Sequence, residues 1–211
     1  MTTTQLVIRK LTEADIEAVT AIHLEQFPYA RSTSLGKPYL RKMYHWFMET
    51  QPALSYVAIQ SDRVVGFAVG AIGGYGRNIF RYALAEIILG LARRPGLLIQ
   101  KKTYTLWSSY LRGLLPTRRS TPLHQAAQVP IIVRCSLSSI AVAQTAQRHG
   151  VGKALIAALE ENARRLGAAR MSLSVASNNL PARRLYESCG WQCIEDRVPQ
   201  ASIVYVKHLS D

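Results

Sequence analysis

A glycine-bearing turn between an apolar run and an alanine-rich segment constrains this chain more than any other stretch. Gln147-Arg148-His149-Gly150-Val151-Gly152-Lys153 follows Ser139-Ile140-Ala141-Val142 and precedes Ala154-Leu155-Ile156-Ala157-Ala158-Leu159. The order reads as strand, turn and helix. Gly150 and Gly152 open backbone conformations closed to other residues, and their missing side chains let a bulky ligand approach the main chain. The N–H groups of a first helical turn have no intrahelical acceptor and lie at the positive end of the helix dipole. A phosphate or pyrophosphate is therefore the natural ligand of such a turn, with Arg148 and Lys153 as reinforcement. Two nucleotide motifs are excluded: there is no G-x-x-x-x-G-K-[ST], and no third glycine completes G-x-G-x-x-G.

A length of 211 residues and a mass of 23.5 kDa suit one compact domain, 1–211, with a substantial core. A hydrophobic content of 48% against 18% charged residues argues for a globular chain. The net charge of +13 favours anionic partners. Cys135, Cys189 and Cys193 are odd in number and lack C-x-x-C spacing, which supports neither a disulfide framework nor a zinc site and points to a reducing, cytoplasmic setting. The N-terminal residues show no basic-then-apolar leader, and no run reaches the roughly 18 apolar residues of a spanning helix.

Leu6-Val7-Ile8 reads as a first strand. Thr12 with Asp15 makes a capping-box-like start for a helix whose apolar face is Ile16, Val19, Ile22 and Phe27. Phe27 to Gly36 reads as a loop. Pro38 suits the first turn of a second helix carrying Leu40, Met43, Tyr44 and Phe47. Tyr56 to Val69, folded across Ser61-Asp62-Arg63, reads as a hairpin. Further on, Pro130 to Val142 is longer than one ordinary strand needs, which allows a bulge or bend partway along. Gly167 is a helix stop, Met171, Leu173 and Val175 alternate as a strand, and Ile203 to Val206 reads as the last strand.

The stretch 75–128 departs from this rhythm. Nine basic residues from Arg77 to Arg119 face one acid, Glu86, so a surplus of eight charges out of the total of +13 is local. Two helical segments are expected, near Ile79 to Ala92 and near Leu97 to Leu115, separated by Pro95-Gly96. In the second, Tyr104, Trp107, Leu111 and Leu114 recur at helical spacing, with Lys101, Lys102 and Arg112 for a wetter face. Such helices pack on the core or on a second copy in a homodimer, hold an anionic substrate, or rest on an anionic membrane surface through 77–119. Nucleic acid fits less well, because the bases lie among Leu and Ile rather than among stacking aromatics.

A second pattern follows the first. Asn179-x-x-Ala182-x-x-Leu185-Tyr186-Glu187-x-x-Gly190-Trp191 comes after strand-like Met171 to Val175, with Pro181 suited to a first helical turn. The first motif, Q-x-x-G-x-G, resembles the pyrophosphate-binding signature of the GNAT superfamily, the acyl-CoA-dependent N-acyltransferases. The second resembles that family's N-x-x-A-x-x-L-Y-x-x-x-G-F, with Trp191 for Phe. The opening order of strand, two helices and hairpin is also similar. The resemblance covers about residues 5–75 and 131–208 but not the insert.

The resemblance implies an α/β fold with a mixed central sheet of six to seven strands, flanked by helices, with the basic helical insert between the third and fourth strands. Two neighbouring parallel strands, near Ile140 and Val175, would splay to admit the pantetheine arm of acetyl-CoA. Backbone groups of Ile140, Ala141 and Val142 would pair with it, and the Val142 N–H would polarise the thioester carbonyl. The residues from Gln147 through Lys153, His149 and Val151 among them, would hold the diphosphate, with Asn179 and Ala182 bordering the cofactor. Tyr186 would donate a proton or hydrogen bond to the departing thiolate. Many family members place a glutamate on the long strand where this chain has Ser136. A serine can order a water but is no carboxylate, so Glu25 is the next candidate base, followed by His23 and His124. The expected reaction is direct transfer to a primary amine of a small molecule, such as an amino sugar or other anionic metabolite. A protein N-terminus or lysine is the alternative acceptor, and a non-catalytic acyl-CoA sensor or membrane-associated module is the alternative class.

Overall fold

The computed structural model describes residues 5–73, 76–96, 133–195 and 202–209. Among these residues, seven strands form one sheet in the order β1-β2-β3-β4-β5-β7-β6. They are β1 Val7–Lys10, β2 Leu54–Gln60, β3 Arg63–Ile72, β4 Val133–Val142, β5 Ala168–Ala176, β6 Gln192–Glu195 and β7 Ser202–His208. All neighbours pair antiparallel except β4 and β5, which run parallel. The seven described helices are α1 Ile16–Gln26, α2 Arg31–Ser34, α3 Lys37–Glu49, α4 Gly76–Tyr82, α5 Leu84–Arg93, α6 Val151–Arg165 and α7 Leu180–Ser188. Among the described residues no helix is long and apolar enough to cross a membrane.

The two faces of the sheet bury different helices. Leu155, Ile156 and Leu159 of α6 pack with Leu137, Met171 and Tyr205 on one face. Val19 and Ile22 of α1 pack with Leu40, Tyr44 and Phe47 of α3 against Val57 and Phe67 on the other. Ser61 and Asp62 both take positive φ and turn the β2–β3 hairpin. At the start of α1 the Asp15 carboxylate accepts from the Thr12 N–H at 2.9 Å and from Arg9 at 2.6 and 2.8 Å. Burial pushes the Asp15 carboxyl upward, and the bonds from Arg9 and Thr12 outweigh it to leave the group below its ordinary range.

Glu160 is the buried polar anchor of the α6 face. It accepts from the Trp191 indole N–H at 2.8 Å and from Lys207 Nζ at 2.6 Å, tying α6 to the segment after α7 and to β7. Glu160→Ala leaves the Trp191 indole N–H without its acceptor and removes the counter-ion of Lys207, which keeps the Cys189 carbonyl at 2.6 Å, and is expected to destabilise the fold by about 2 kcal/mol. Urea denaturation of the variant beside the wild type measures this, and a loss under about 1 kcal/mol would show that water replaces the carboxylate.

Three elements differ from the sequence reading. The stretch read as a loop from Phe27 to Gly36 contains α2, a single helical turn too short to show periodicity. The segment expected as one helix near Ile79 to Ala92 is two helices, α4 and α5, broken at Ala83 with φ −108° and ψ 24°. The helix expected near Leu97 to Leu115 lies outside the described residues. Strand β6, four residues with mixed polarity, had no pattern to announce it. Helix α5 lies close on the loop after α2: a Cβ on Gly90 would stand 2.5 Å from the Leu35 carbonyl oxygen, so only glycine permits this approach. Phe80, Ile87 and Leu91 close the contact with Leu35 and Tyr39.

Candidate functional site

The register between β4 and β5 creates the site. The two strands pair from Val133 with Ala168 to Ser136 with Ser172, and no further. Beyond that point β4 stays paired with β3 as far as Val142 with Gly66, while β5 stays paired with β7. The edge of β4 from Leu137 to Val142 is thus open toward β5. A bulge next to Val69 and Gly70 lets Ser138 slip out of register as the gap opens. A Cβ on Gly70 would meet the Ser136 carbonyl oxygen at 2.7 Å, so glycine is what allows the strands to approach there. The Ala143 N–H donates to the Val65 carbonyl of β3 at 2.8 Å. Alternation along the strand then aims the N–H groups of Ile140 and Val142 away from β3, into the gap.

The turn closes one end of the gap. Gly150 caps α6 with φ 80° and Arg148 has φ 63°, a left-handed conformation rare outside glycine. The first helical amide with a main-chain partner is that of Ala154, donating to the Gly150 carbonyl at 3.0 Å. The amides of Val151, Gly152 and Lys153 are left to point outward. Gly152 also sets the seat of α7, since a Cβ there would lie 3.0 Å from Leu185 Cδ2. The Gln147 side chain donates to the Val142 carbonyl at 3.1 Å and to Gln26 Oε1 at 2.9 Å, so it fastens the turn to β4 and α1.

A cleft of about 1680 Å³ runs through the gap and on toward α1, α2 and α3. Residues proposed from the sequence for acyl-CoA binding all line it, apart from His149, which is exposed and outside the lining. Asn179 Oδ1 accepts from the Ala182 N–H at 3.2 Å and caps α7, leaving its NH₂ to offer to a ligand. Tyr186 faces the cleft from α7 with 6% of its surface exposed, its ring packed near Trp191 and Tyr205. No described residue hydrogen-bonds its hydroxyl. Burial pushes the phenol up to about 12, so it keeps its proton at working pH.

Neither leading candidate for a base lines the cleft. Ser136 Oγ donates to the Ala71 carbonyl at 3.4 Å, below the point where the strands part. Glu25 is exposed at the end of α1, where Oε1 accepts from the Gln144 N–H at 3.4 Å. His124 lies outside the described residues. His23 lines the cleft, with 4% of its surface exposed. Its Nδ1 stands 2.5 Å from the Tyr44 hydroxyl and its Nε2 3.0 Å from Ser32 Oγ. Sequence reasoning assigned Tyr44 to the apolar face of its helix and gave Ser32 no role; only the fold brings the three together.

Burial lowers His23 to about 4. An unfolded chain takes up this proton near pH 6.5, the folded one only near pH 4, so acid favours unfolding through that window. Acidification from pH 6.5 to 4 is expected to cost up to about 3 kcal/mol through this residue. Urea titrations at pH 7 and pH 4.5 check this: His23→Gln should flatten the difference, and an equal loss in the variant would assign it to other groups.

The end of the cleft toward α1, α2 and α3 is mixed, with His23, Arg31, Ser32 and Ser34 lining it beside an apolar wall. Phe27, Tyr39, Met43 and Phe47 line it from α1 to α3, and Phe80 and Leu91 roof it from α4 and α5. The expectation that the insert brings positive charge to this side is not met by its described part: Arg81, Arg93 and Arg94 are exposed and outside the lining. Helices α4 and α5 turn Phe80, Ile87 and Leu91 inward and Arg81 and Arg93 to solvent.

A sheet that parts at two parallel strands, with a helix N-terminus at the mouth, makes a cleft suited to an extended ligand that ends in a diphosphate. Residues 132–191, which build that site, match the model of the Acetyltransferase (GNAT) family. Over that segment the chain is similar to the acyl-CoA-dependent N-acyltransferases of the GNAT superfamily. No curated protein sequence matches it. Similar solved structures include SsHAT, at 19% identity over 98% of this chain and 100% of that one, with a TM-score of 0.63. NAA60 of Arabidopsis thaliana in complex with acetyl-CoA is 15% identical over 97% and 99%, with a TM-score of 0.60. The ribosomal-protein-S18-alanine N-acetyltransferase of Escherichia coli is 18% identical over 98% and 96%, with a TM-score of 0.54.

Proposed function

We propose that this protein transfers the acetyl group of acetyl-CoA directly to a primary amine carried on an apolar body, with the α-amine of a peptide that begins with a large apolar residue as the best fit. The observation that carries this reading is the cleft: outward-facing amides at one end, Tyr186 along its wall, an apolar chamber at the other. The thioester supplies an activated acyl group. The amides of Val151, Gly152 and Lys153, with Arg148, hold the diphosphate, and the open edge of β4 binds the pantetheine arm. The Val142 N–H stands ready as a preorganised donor for charge developing on the carbonyl oxygen. Tyr186 protonates the sulfur as it leaves.

The apolar part of the lining suits an apolar acceptor body better than an anionic sugar. Phosphate or hydroxyl groups placed among Phe27, Met43, Phe47 and Leu91 would lose water without gaining partners. A peptide would lay its first side chain in the chamber and leave its carbonyls toward the open mouth. The likeness to an enzyme described as acting on a ribosomal-protein alanine accords with a peptide acceptor.

The test is a panel of amines assayed by release of free thiol from acetyl-CoA. It should hold peptides with apolar, acidic and basic first residues, amino sugars and small amines. Acceptor-dependent release should be fastest with peptides whose first residue is apolar. Turnover confined to amino sugars would overturn the acceptor reading. Binding of acetyl-CoA with no release across the panel would move the protein to the sensor class.

A further inference from the structure

Helix α5 is apolar on both of its sides. Among its 10 residues, Leu84–Arg93, charge is carried by Glu86 and Arg93 alone. Ile87, Gly90 and Leu91 are buried, and Ile87 and Leu91 line the cleft. With about 100° of turn per residue, Leu84, Ala85, Ile88, Leu89 and Ala92 form one stripe, about 140° wide, that leaves out those three. All five are exposed, Leu84 at 39%, Ile88 at 57% and Leu89 at 43%. A helix that is apolar all round belongs in a core or against a second surface, and a contiguous exposed apolar stripe marks where that surface docks.

Charge frames the stripe. Arg81 precedes it and Arg93 and Arg94 end it, all three exposed. None of them forms an ion pair among the described residues, and Arg94 donates only to the Ser34 carbonyl at 3.3 Å. We infer that the outer face of α5 docks on an anionic lipid surface, with Leu84, Ile88 and Leu89 entering the boundary between headgroups and chains and Arg81, Arg93 and Arg94 meeting lipid phosphates.

Electrostatics selects this occupant over two others. Residues 97–132, which follow α5 in the chain and lie outside the described residues, contain five bases and no acid. Laid over the stripe, they would bring like charge to Arg93 and Arg94 with no carboxylate between. A second copy would do no better: α5 against α5, antiparallel, sets Arg81 of one beside Arg93 and Arg94 of the other, with Glu86 the single acid on the helix. A lipid phosphate supplies the missing negative charge, and the chain boundary takes the apolar stripe in the same contact. Arginine stems lie along apolar surface while their guanidinium groups reach outward to the phosphates. At 10 residues the helix is far too short to span a bilayer, so the contact is peripheral. Because Ile87 and Leu91 line the cleft from the inner side of the same helix, docking seats that end of the cleft at the membrane surface.

Vesicle co-sedimentation tests the contact and needs neither acetyl-CoA nor an amine, so its result is separate from that of the acyl-transfer assay. The protein should pellet with vesicles of phosphatidylglycerol and phosphatidylcholine in equal parts, and partition at least about 10-fold less to phosphatidylcholine alone. Equal partition to both overturns the inference. A chain of net charge +13 is drawn to any anionic surface, so the deciding variant combines Leu84→Ser, Ile88→Ser and Leu89→Ser. It should lower partition to the anionic vesicles by about 10-fold or more with little change in the urea midpoint, since these side chains face solvent in the free protein. A triple variant that pellets like the wild type overturns the inference and leaves only general charge attraction. Arg81→Glu with Arg93→Glu should weaken binding by about 10-fold or more at low salt, a difference that shrinks as salt screens it. Ile88→Trp serves even where the triple variant fails to fold: its emission, taken as a difference from the wild type, should shift to the blue on adding anionic vesicles, and an unshifted spectrum overturns the docking. Absence of wild-type sedimentation, with a triple variant that unfolds at lower urea or loses a concentration-dependent dimer, would assign the stripe to the chain's own residues 97–132 or to a second copy.

Discussion

Gly150→Val will weaken acetyl-CoA binding by about 10- to 100-fold, equivalent to about 1.4 to 2.8 kcal/mol. Gly150 sits at φ 80°, where a β-branched side chain is strained by its own backbone. No atom lies within 4 Å of where its Cβ would be, so the effect comes from the backbone and not from a clash. The chain relieves that strain by rotating the turn, and the amides of Val151 to Lys153 then no longer converge on one anion. Gly167→Val supplies the control. It has φ 73°, equally open surroundings, and sits at the far end of α6. It should lose comparable stability while keeping its affinity for acetyl-CoA. Isothermal titration of both variants decides the matter: if Gly150→Val binds like the wild type, the turn is not the diphosphate grip.

The second large effect falls on turnover rather than binding. Tyr186→Phe keeps the ring against Trp191 and Tyr205 and removes only the hydroxyl. General-acid help is commonly worth 10²- to 10⁴-fold, and a thiolate leaves more readily than most groups. The expected loss in kcat is therefore at the low end, on the order of 10- to 100-fold, with the KM for acetyl-CoA within about twofold. With its phenol pushed up to about 12, Tyr186 contributes no limb to the pH–rate profile below about pH 10. An unchanged kcat would leave Tyr186 as packing between α7 and the sheet.

The fold was legible in the chain because its signals are local. Gly150 and Gly152 mark a turn, Thr12 and Asp15 a helix start, and Ser61-Asp62 a hairpin, each by short-range stereochemistry. The length of β4 left room for the bulge near Ser138. What escaped depended on tertiary placement. Helix α2 is one turn long, and Ala83 carries no breaking signal in its side chain. Glu25 was a sound candidate by position on α1, yet it turns to the Gln144 amide and away from the cleft lining. Tyr44 looked like an ordinary member of an apolar helix face and Ser32 like part of a loop. Only their meeting with His23 across elements apart in sequence sets them together.

The contact of Gly90 with Leu35 has a consequence for how such a protein diverges. Because α5 rests on the backbone beside α2 without an intervening side chain, any bulkier residue at position 90 must push α2 and Ser32 along with it. The end of the cleft beside α2 is thus coupled to α5, while its other end is built from β4, α6 and α7. Under the function proposed above, selection on α5 would retune which amine is admitted and leave the acyl donor unchanged.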